Sequence, residues 1–174
     1  MPMKTNLQKI TILLSLIGFC YIPLRMFVQS QQLVTLNGRI TQVSASKTRI
    51  PYFSFQIDEE PCTFFNPGNG SLSLFKTRIT DTKQPVTFKI RKDDLAAIKT
   101  NNKILYFAYN GHDLWIDLYY SIVRLNLFTQ FGYMIYFFLL SVVNMIYSYR
   151  HNQTGIFTIL FKCSLIFFFM IMLL

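Results

Sequence analysis

Three stretches of the chain are apolar almost without interruption: Ile10 to Val28, Leu127 to Tyr147, and Ile156 to Leu174. Each is about 20 residues long, which at about 1.5 Å rise per residue matches a hydrocarbon core of about 30 Å. Three membrane-spanning helices are therefore predicted. From Gln32 to Tyr120 the pattern changes to short runs of alternating apolar and polar residues, broken by turn-forming clusters. That alternation has the period of two expected of half-buried strands. The layout predicts an α+β membrane protein, with three transmembrane helices and an inserted small antiparallel β-barrel or sandwich. The expected division is an N-terminal signal-anchor helix in 1–31, an extramembrane β domain in 32–120 and a transmembrane helical hairpin in 121–174.

Within the β domain, Leu33–Leu36 and Ile40–Ala45 are strand candidates flanking Asn37-Gly38. Tyr52–Ile57 alternates cleanly, with Phe53, Phe55 and Ile57 on one face. Asp58-Glu59-Glu60-Pro61 supplies a turn, Cys62–Phe65 a return strand, and Asn66-Pro67-Gly68-Asn69-Gly70 a loop. Leu72–Ile79 is a further strand, and Val86, Phe88 and Ile90 mark another. Asp93 and Asp94 cap one short helix over Leu95–Ile98. Ile104–Tyr109 and His112–Tyr119 flank Asn110-Gly111, the pair preferred by a two-residue type I′ hairpin because both positions require positive φ. In that register Leu105, Phe107, Tyr109, His112, Leu114 and Ile116 face the core. Tyr106, Asp113, Trp115 and Asp117 share the outer face.

Charge refines the layout. Seventeen Lys and Arg against eight Asp and Glu give +9. All eight acids lie between Asp58 and Asp117, whereas Lys4, Lys9, Arg25, Arg150 and Lys162 belong to the apolar segments and their flanks. Basic flanks favour the cytoplasm. Lys4 and Lys9 before the first helix, and Arg150 in the loop between the second and third, place the N-terminus inside and the β domain outside. Arg25 and Arg124 weigh against that orientation. A cleaved signal peptide would need a small-residue site after the first apolar run, where Pro23, Leu24, Arg25 and Met26 stand instead. The expected location is the plasma (inner) membrane, multi-pass, with an extracytoplasmic β domain. No polar arm interleaves Arg with aromatic residues, so nucleic acid is not an expected partner.

Candidate chemistry is sparse. His112 and Asp113 alternate to opposite faces of the predicted hairpin and make no acid–base dyad. No phosphate loop, nucleophile elbow or zinc-binding spacing is present. No catalytic residue, metal or cofactor is expected. Cys62 reads as a small buried hydrophobe. Polar groups inside the spanning segments carry the sharper signal, because they are costly there. Asn144 and Lys162 fall within reach of each other across an antiparallel helix pair, and Arg25 can meet Gln130 near the outer leaflet. The expectation is a non-catalytic membrane protein whose β domain binds a partner, as an accessory subunit, assembly factor or neutralising protein. The partner-binding residues would be Tyr106, Asp113, Trp115 and Asp117. Expected partners are membrane lipid and a membrane or extracytoplasmic protein, and a homo-oligomer is compatible with the helices. Two alternatives are an oligomeric channel or transporter using Lys162 and a membrane-bound enzyme with scattered residues.

Overall fold

In the computed structural model, residues 2–45, 52–58, 60–67, 83–100, 102–151 and 155–173 are described. The chain forms two compact units, Met1–Arg25 with Ile122–Leu174, and Met26–Ser121. The protein is mixed α+β, with a curled five-stranded half-barrel sheet and three long apolar helices.

The helices are α1 (Pro2–Gln31), α3 (Leu127–His151) and α4 (Ile156–Leu173). All three are long and apolar enough to cross a membrane, over Asn6–Gln31, Leu127–Arg150 and Ile156–Leu173. Helix α3 starts at an Asn cap: the Asn126 side-chain oxygen accepts from the backbone N–H of Phe128 (3.0 Å) and Thr129 (3.4 Å). In this helical unit the interior is aromatic. Phe137 is fully buried and stacks on Phe19 (6.0 Å) and Phe167 (5.1 Å), so α1, α3 and α4 meet at one ring cluster. Ser148 and Thr158 hydroxyls join α3 to α4 at 2.6 Å.

The sheet comprises β1 (Leu33–Ala45), β2 (Tyr52–Ile57), β3 (Glu60–Pro67), β4 (Pro85–Arg91) and β5 (Lys103–Leu105), in the order β4-β1-β2-β3-β5. Strand β1 serves two neighbours: Leu33–Arg39 pairs with β4, and Ile40–Ala45 with β2, with an irregularity between Ile40 and Gln42 where the strand bends. Asn37-Gly38 therefore lies inside a strand, not at a turn between two. The reason is a close approach: a Cβ at Gly38 would lie 2.9 Å from Ile57 Cδ1 and 3.1 Å from its Cβ, so the glycine leaves room for the Ile57 side chain. Strand β5 runs parallel to β3, against the antiparallel expectation. Just beyond it, Phe107 and Lys89 exchange backbone hydrogen bonds of 2.7 and 2.8 Å, which brings the two edges of the sheet together.

Period-two burial fills the concave side. Phe55 and Ile57 from β2, Cys62 and Phe64 from β3, and Val86, Phe88 and Ile90 from β4 form one core with Ile40, Ile104 and Tyr106. The predicted alternation is observed in β4; in β2 Phe55 and Ile57 face the core as predicted, while Ser54 on the other face is also buried. Lys92–Ala97 forms a short 3-10 helix, but Asp93 and Asp94 lie within its first turn rather than capping it: the cap position is Arg91, with no side-chain cap hydrogen bond. The predicted strand Leu72–Ile79 and the loop residues Gly68–Gly70 lie outside the described residues.

Cys62 is fully buried, and burial first, then the Glu60 carboxylate, push its thiol above the ordinary value. A thiol held neutral and covered reacts only when the domain opens. Maleimide at neutral pH is accordingly expected to modify Cys62 in denaturant and not in the native protein. Fast native labelling of Cys62 would contradict this core.

Candidate functional site

The predicted hairpin over Ile104–Tyr119 does not form. After Phe107 the backbone takes positive φ at Ala108 (55°), Asn110 (48°), Gly111 (80°) and Asp113 (64°), and then enters helix α2 (Leu114–Tyr119). Asn110 and Gly111 do adopt the left-handed conformations that a type I′ turn requires, but the chain beyond them turns helical. Polar side chains replace the missing ladder. The Asn110 side-chain oxygen accepts from Thr87 N–H on β4 (3.0 Å), and Asp117 Oδ2 accepts from Ala108 N–H (2.9 Å). A strand at 112–119 is thereby unnecessary for satisfying these groups.

This rearrangement dissolves the predicted outer face. Tyr106 and Asp117 are buried, Asp113 is partly buried, and Trp115 is exposed. Tyr106 packs on Phe55 (4.9 Å between ring centroids) inside the core. Burial first, then the Asp117 charge, drive its phenol well above its ordinary pKa. Tyr106 and Asp117 therefore belong to the interior, and the four residues share no surface. His112 is exposed at the end of this turn, just before α2.

The predicted intramembrane pairs also separate. Asn144 is fully buried, and its amide nitrogen donates to Ser15 Oγ on α1 (3.2 Å) and to Leu140 O (2.9 Å). Its Oδ1 has no partner among the described residues. Lys162 is exposed, so Asn144 meets α1 rather than the Lys162 ammonium. Arg25 lies 6.0 Å over the Tyr21 ring, while the Gln130 amide donates to Ile171 O at 3.2 Å. Those two side chains likewise find other neighbours.

What the β unit does assemble is a groove of about 470 Å³ on its outer face. Strand register explains its lining. Gln42 on β1 is opposite Gln56 on β2, the Gln56 amide donates to Thr63 Oγ1 on β3 (3.1 Å), and Thr63 is opposite Lys103 on β5. These four polar side chains form one row across four strands. Two residues along, Ser44 is opposite Ser54 and Ser54 opposite Phe65, giving a second row. Adjacent strands lie about 4.8 Å apart, so the first row spans about 14 Å and the second about 10 Å. Ser54 Oγ donates to Ser44 O (3.2 Å), which fixes the floor. The groove is thus lined by amides and hydroxyls, the Phe55 and Phe65 rings, Pro67 and one ammonium. Such a surface can hydrogen-bond a polar chain; its single cation is far from the multiple phosphate contacts that nucleic acid demands.

Sequence reasoning missed these residues, although their signal was present. Ser54 and Gln56 are the polar half of the alternation that identified Phe55 and Ile57 as core. Only the strand order shows that β1, β3 and β5 bring matching polar positions beside them. The last turn of α1 adds a clasp within the same unit: with its amide oriented to satisfy both ends, Gln29 accepts from Arg91 Nη2 (2.6 Å) and Nε (3.1 Å) and donates to Ser121 Oγ (3.1 Å). Among the described residues, no group of three or more His, Cys, Asp or Glu gathers into a metal-binding cluster. No protein-family model, curated protein or solved structure matches this chain.

Proposed function

We propose that the protein is a non-catalytic, membrane-anchored binding module, whose β domain seats an extended segment of a protein partner in the groove across β1, β2, β3 and β5. The observation that carries this reading is the double row of neutral hydrogen-bonding side chains: Gln42, Gln56 and Thr63 in one, Ser44 and Ser54 in the other. Amide and hydroxyl groups both donate and accept, which suits a polypeptide main chain. Phe65 is half-buried and offers little open ring for stacking a sugar.

The domain itself is read as a small barrel of the OB type. A long first strand shared between β2 and β4, a parallel β3–β5 pair and the Phe107–Lys89 bridge support that reading. Barrels of this type bind oligonucleotides or oligosaccharides on the face of strands 2 and 3, so the location of this groove, though not its occupant, follows that pattern. In the cell the domain would stand on the extracytoplasmic side of the plasma membrane, with the N-terminus cytoplasmic, as the basic flanks favour. An accessory, assembly or neutralising role follows from capturing a partner there.

The test places a photo-crosslinking residue at Gln42, inside the groove, or at Lys99, exposed on the same domain. Irradiation of native membranes is expected to give one discrete protein adduct from position 42 and none from position 99. Ser44→Arg, which fills the groove with a charged chain, should reduce that adduct at least tenfold. Trp115→Ala should leave it unchanged. Equal adducts from both positions, an adduct indifferent to Ser44→Arg, or no protein adduct would each refute the groove as the partner site.

A further inference from the structure

In the helical unit, α1 and α3 run antiparallel, as Ser15–Asn144 and Tyr21–Tyr133 neighbours show. They touch tightly at Gly18 but leave a second cavity of about 470 Å³ beside that contact. This volume lies within the range of about 300–1,000 Å³ usual for small-molecule sites. Its lining is graded along the helix axis. Leu14, Ile17, Gly18 and the Phe137 ring line one end, where the Tyr136 hydroxyl is taken up by Leu14 O (2.7 Å), and Tyr21, Thr129 and Tyr133 line the other. Gly132 borders open space, since a Cβ there would meet nothing within 4 Å. One turn beyond Tyr21, the exposed Arg25 guanidinium stands 6.0 Å from the Tyr21 ring. From Leu14 to Arg25 the helix rises about 16 Å at about 1.5 Å per residue, close to half of a hydrocarbon core of about 30 Å.

We infer that this α1–α3 groove is a binding site for one anionic phospholipid, whose acyl chain lies along Ile17, Gly18 and Gly132 and whose phosphate meets Arg25. The gradient from apolar wall to hydroxyls to a cation matches the order of tail, interface and headgroup in a single leaflet. A guanidinium can bind a phosphate with two parallel hydrogen bonds. Tyrosines at the boundary are suited to the interface. Lys162, in contrast, is exposed on α4 with no groove residue of this set beside it in sequence. The inference rests on the helices crossing the bilayer and is independent of the β-domain groove, which a separate experiment tests.

The full-length protein, purified in mild detergent and examined by native mass spectrometry, is expected to retain one phospholipid per chain. After delipidation it should rebind phosphatidylglycerol in preference to phosphatidylcholine. Arg25→Gln should weaken phosphatidylglycerol retention about tenfold and leave phosphatidylcholine nearly unchanged. Gly132→Leu should fill the groove and abolish retention of both, with helicity and thermal midpoint preserved. If Gly132→Leu disturbs the fold, the Arg25→Gln comparison decides by itself. Equal loss of both lipids in Arg25→Gln, no lipid bound beyond the Gly132→Leu level, or a dimer that Gly132→Leu dissociates would overturn the site; the last would assign the groove to a second copy of the chain.

Discussion

Phe88→Ala is expected to destabilise the β domain by about 3–5 kcal/mol, the range for deleting a fully buried phenyl ring. Phe88 has no exposed surface and touches rings from three other segments: Phe64 on β3 (4.6 Å), Phe55 on β2 (5.1 Å) and Tyr106 beyond β5 (6.3 Å). Aromatic pairs of this kind add about 0.5–1.5 kcal/mol each beyond the area buried. The ring is contributed by a strand paired along its length to β1, so its backbone has little freedom to collapse into the void. Domains are stable by about 5–15 kcal/mol, so this one truncation removes a large fraction. Maleimide accessibility of Cys62 across a denaturant series, in detergent-purified protein, measures it. Phe65→Ala, at a half-buried position on the groove side, should shift the midpoint far less. A Phe88→Ala shift no larger than that of Phe65→Ala would mean that the core is not centred where the structure places it.

Much of this core was legible from sequence because strands β2 and β4 each have one buried and one open face, and the alternation of Phe55 with Gln56 or Phe88 with Lys89 records that directly. The long apolar helices were legible for a similar reason: length and composition suffice when no finer register is asked for. The reading failed where local and distant signals compete. Asn37-Gly38 has turn composition, yet the glycine is there for the close passage of β1 over Ile57. Asn110-Gly111 does reverse the chain, but whether a strand or a helix comes next depends on what satisfies Thr87 N–H and Ala108 N–H. In this fold two side chains do so, from Asn110 and Asp117. A hairpin register would have kept Asp117 outside; the observed turn buries it with a backbone donor, which sequence patterning cannot distinguish from misplacement. The groove was invisible for another reason. Gln42, Ser54, Thr63 and Lys103 become neighbours only through the order β1-β2-β3-β5, and the parallel β5 was not anticipated.

In the helical unit the largest effect is expected from a glycine, rather than from the buried amide that draws attention in the sequence. Apolar surfaces gain little from meeting each other in lipid, so association there depends on close packing and interhelical hydrogen bonds. A Cβ at Gly18 would lie 2.5 Å from Tyr136 Cε1, well inside van der Waals contact. Tyr136 cannot simply swing away, because its hydroxyl donates to Leu14 O (2.7 Å) and its ring sits edge-on against Phe137 (5.4 Å). Gly18→Leu should therefore drive α1 off α3, at about 1–3 kcal/mol or more for overpacking, and take the Asn144–Ser15 hydrogen bond (3.2 Å) with it. Asn144→Ala removes that hydrogen bond without any clash. Such interhelical bonds average only about 0.6 kcal/mol in double-mutant cycles and reach about 1.7, and the loss is offset here because Oδ1 has no partner to forfeit among the described residues. Unfolding of the full-length protein by a graded SDS titration should rank Gly18→Leu as the more damaging of the two, with Gly18→Ala between them. If Asn144→Ala proved the worse, the helices would be held by the amide and not by the glycine contact, and the close approach at Gly18 would have to be abandoned.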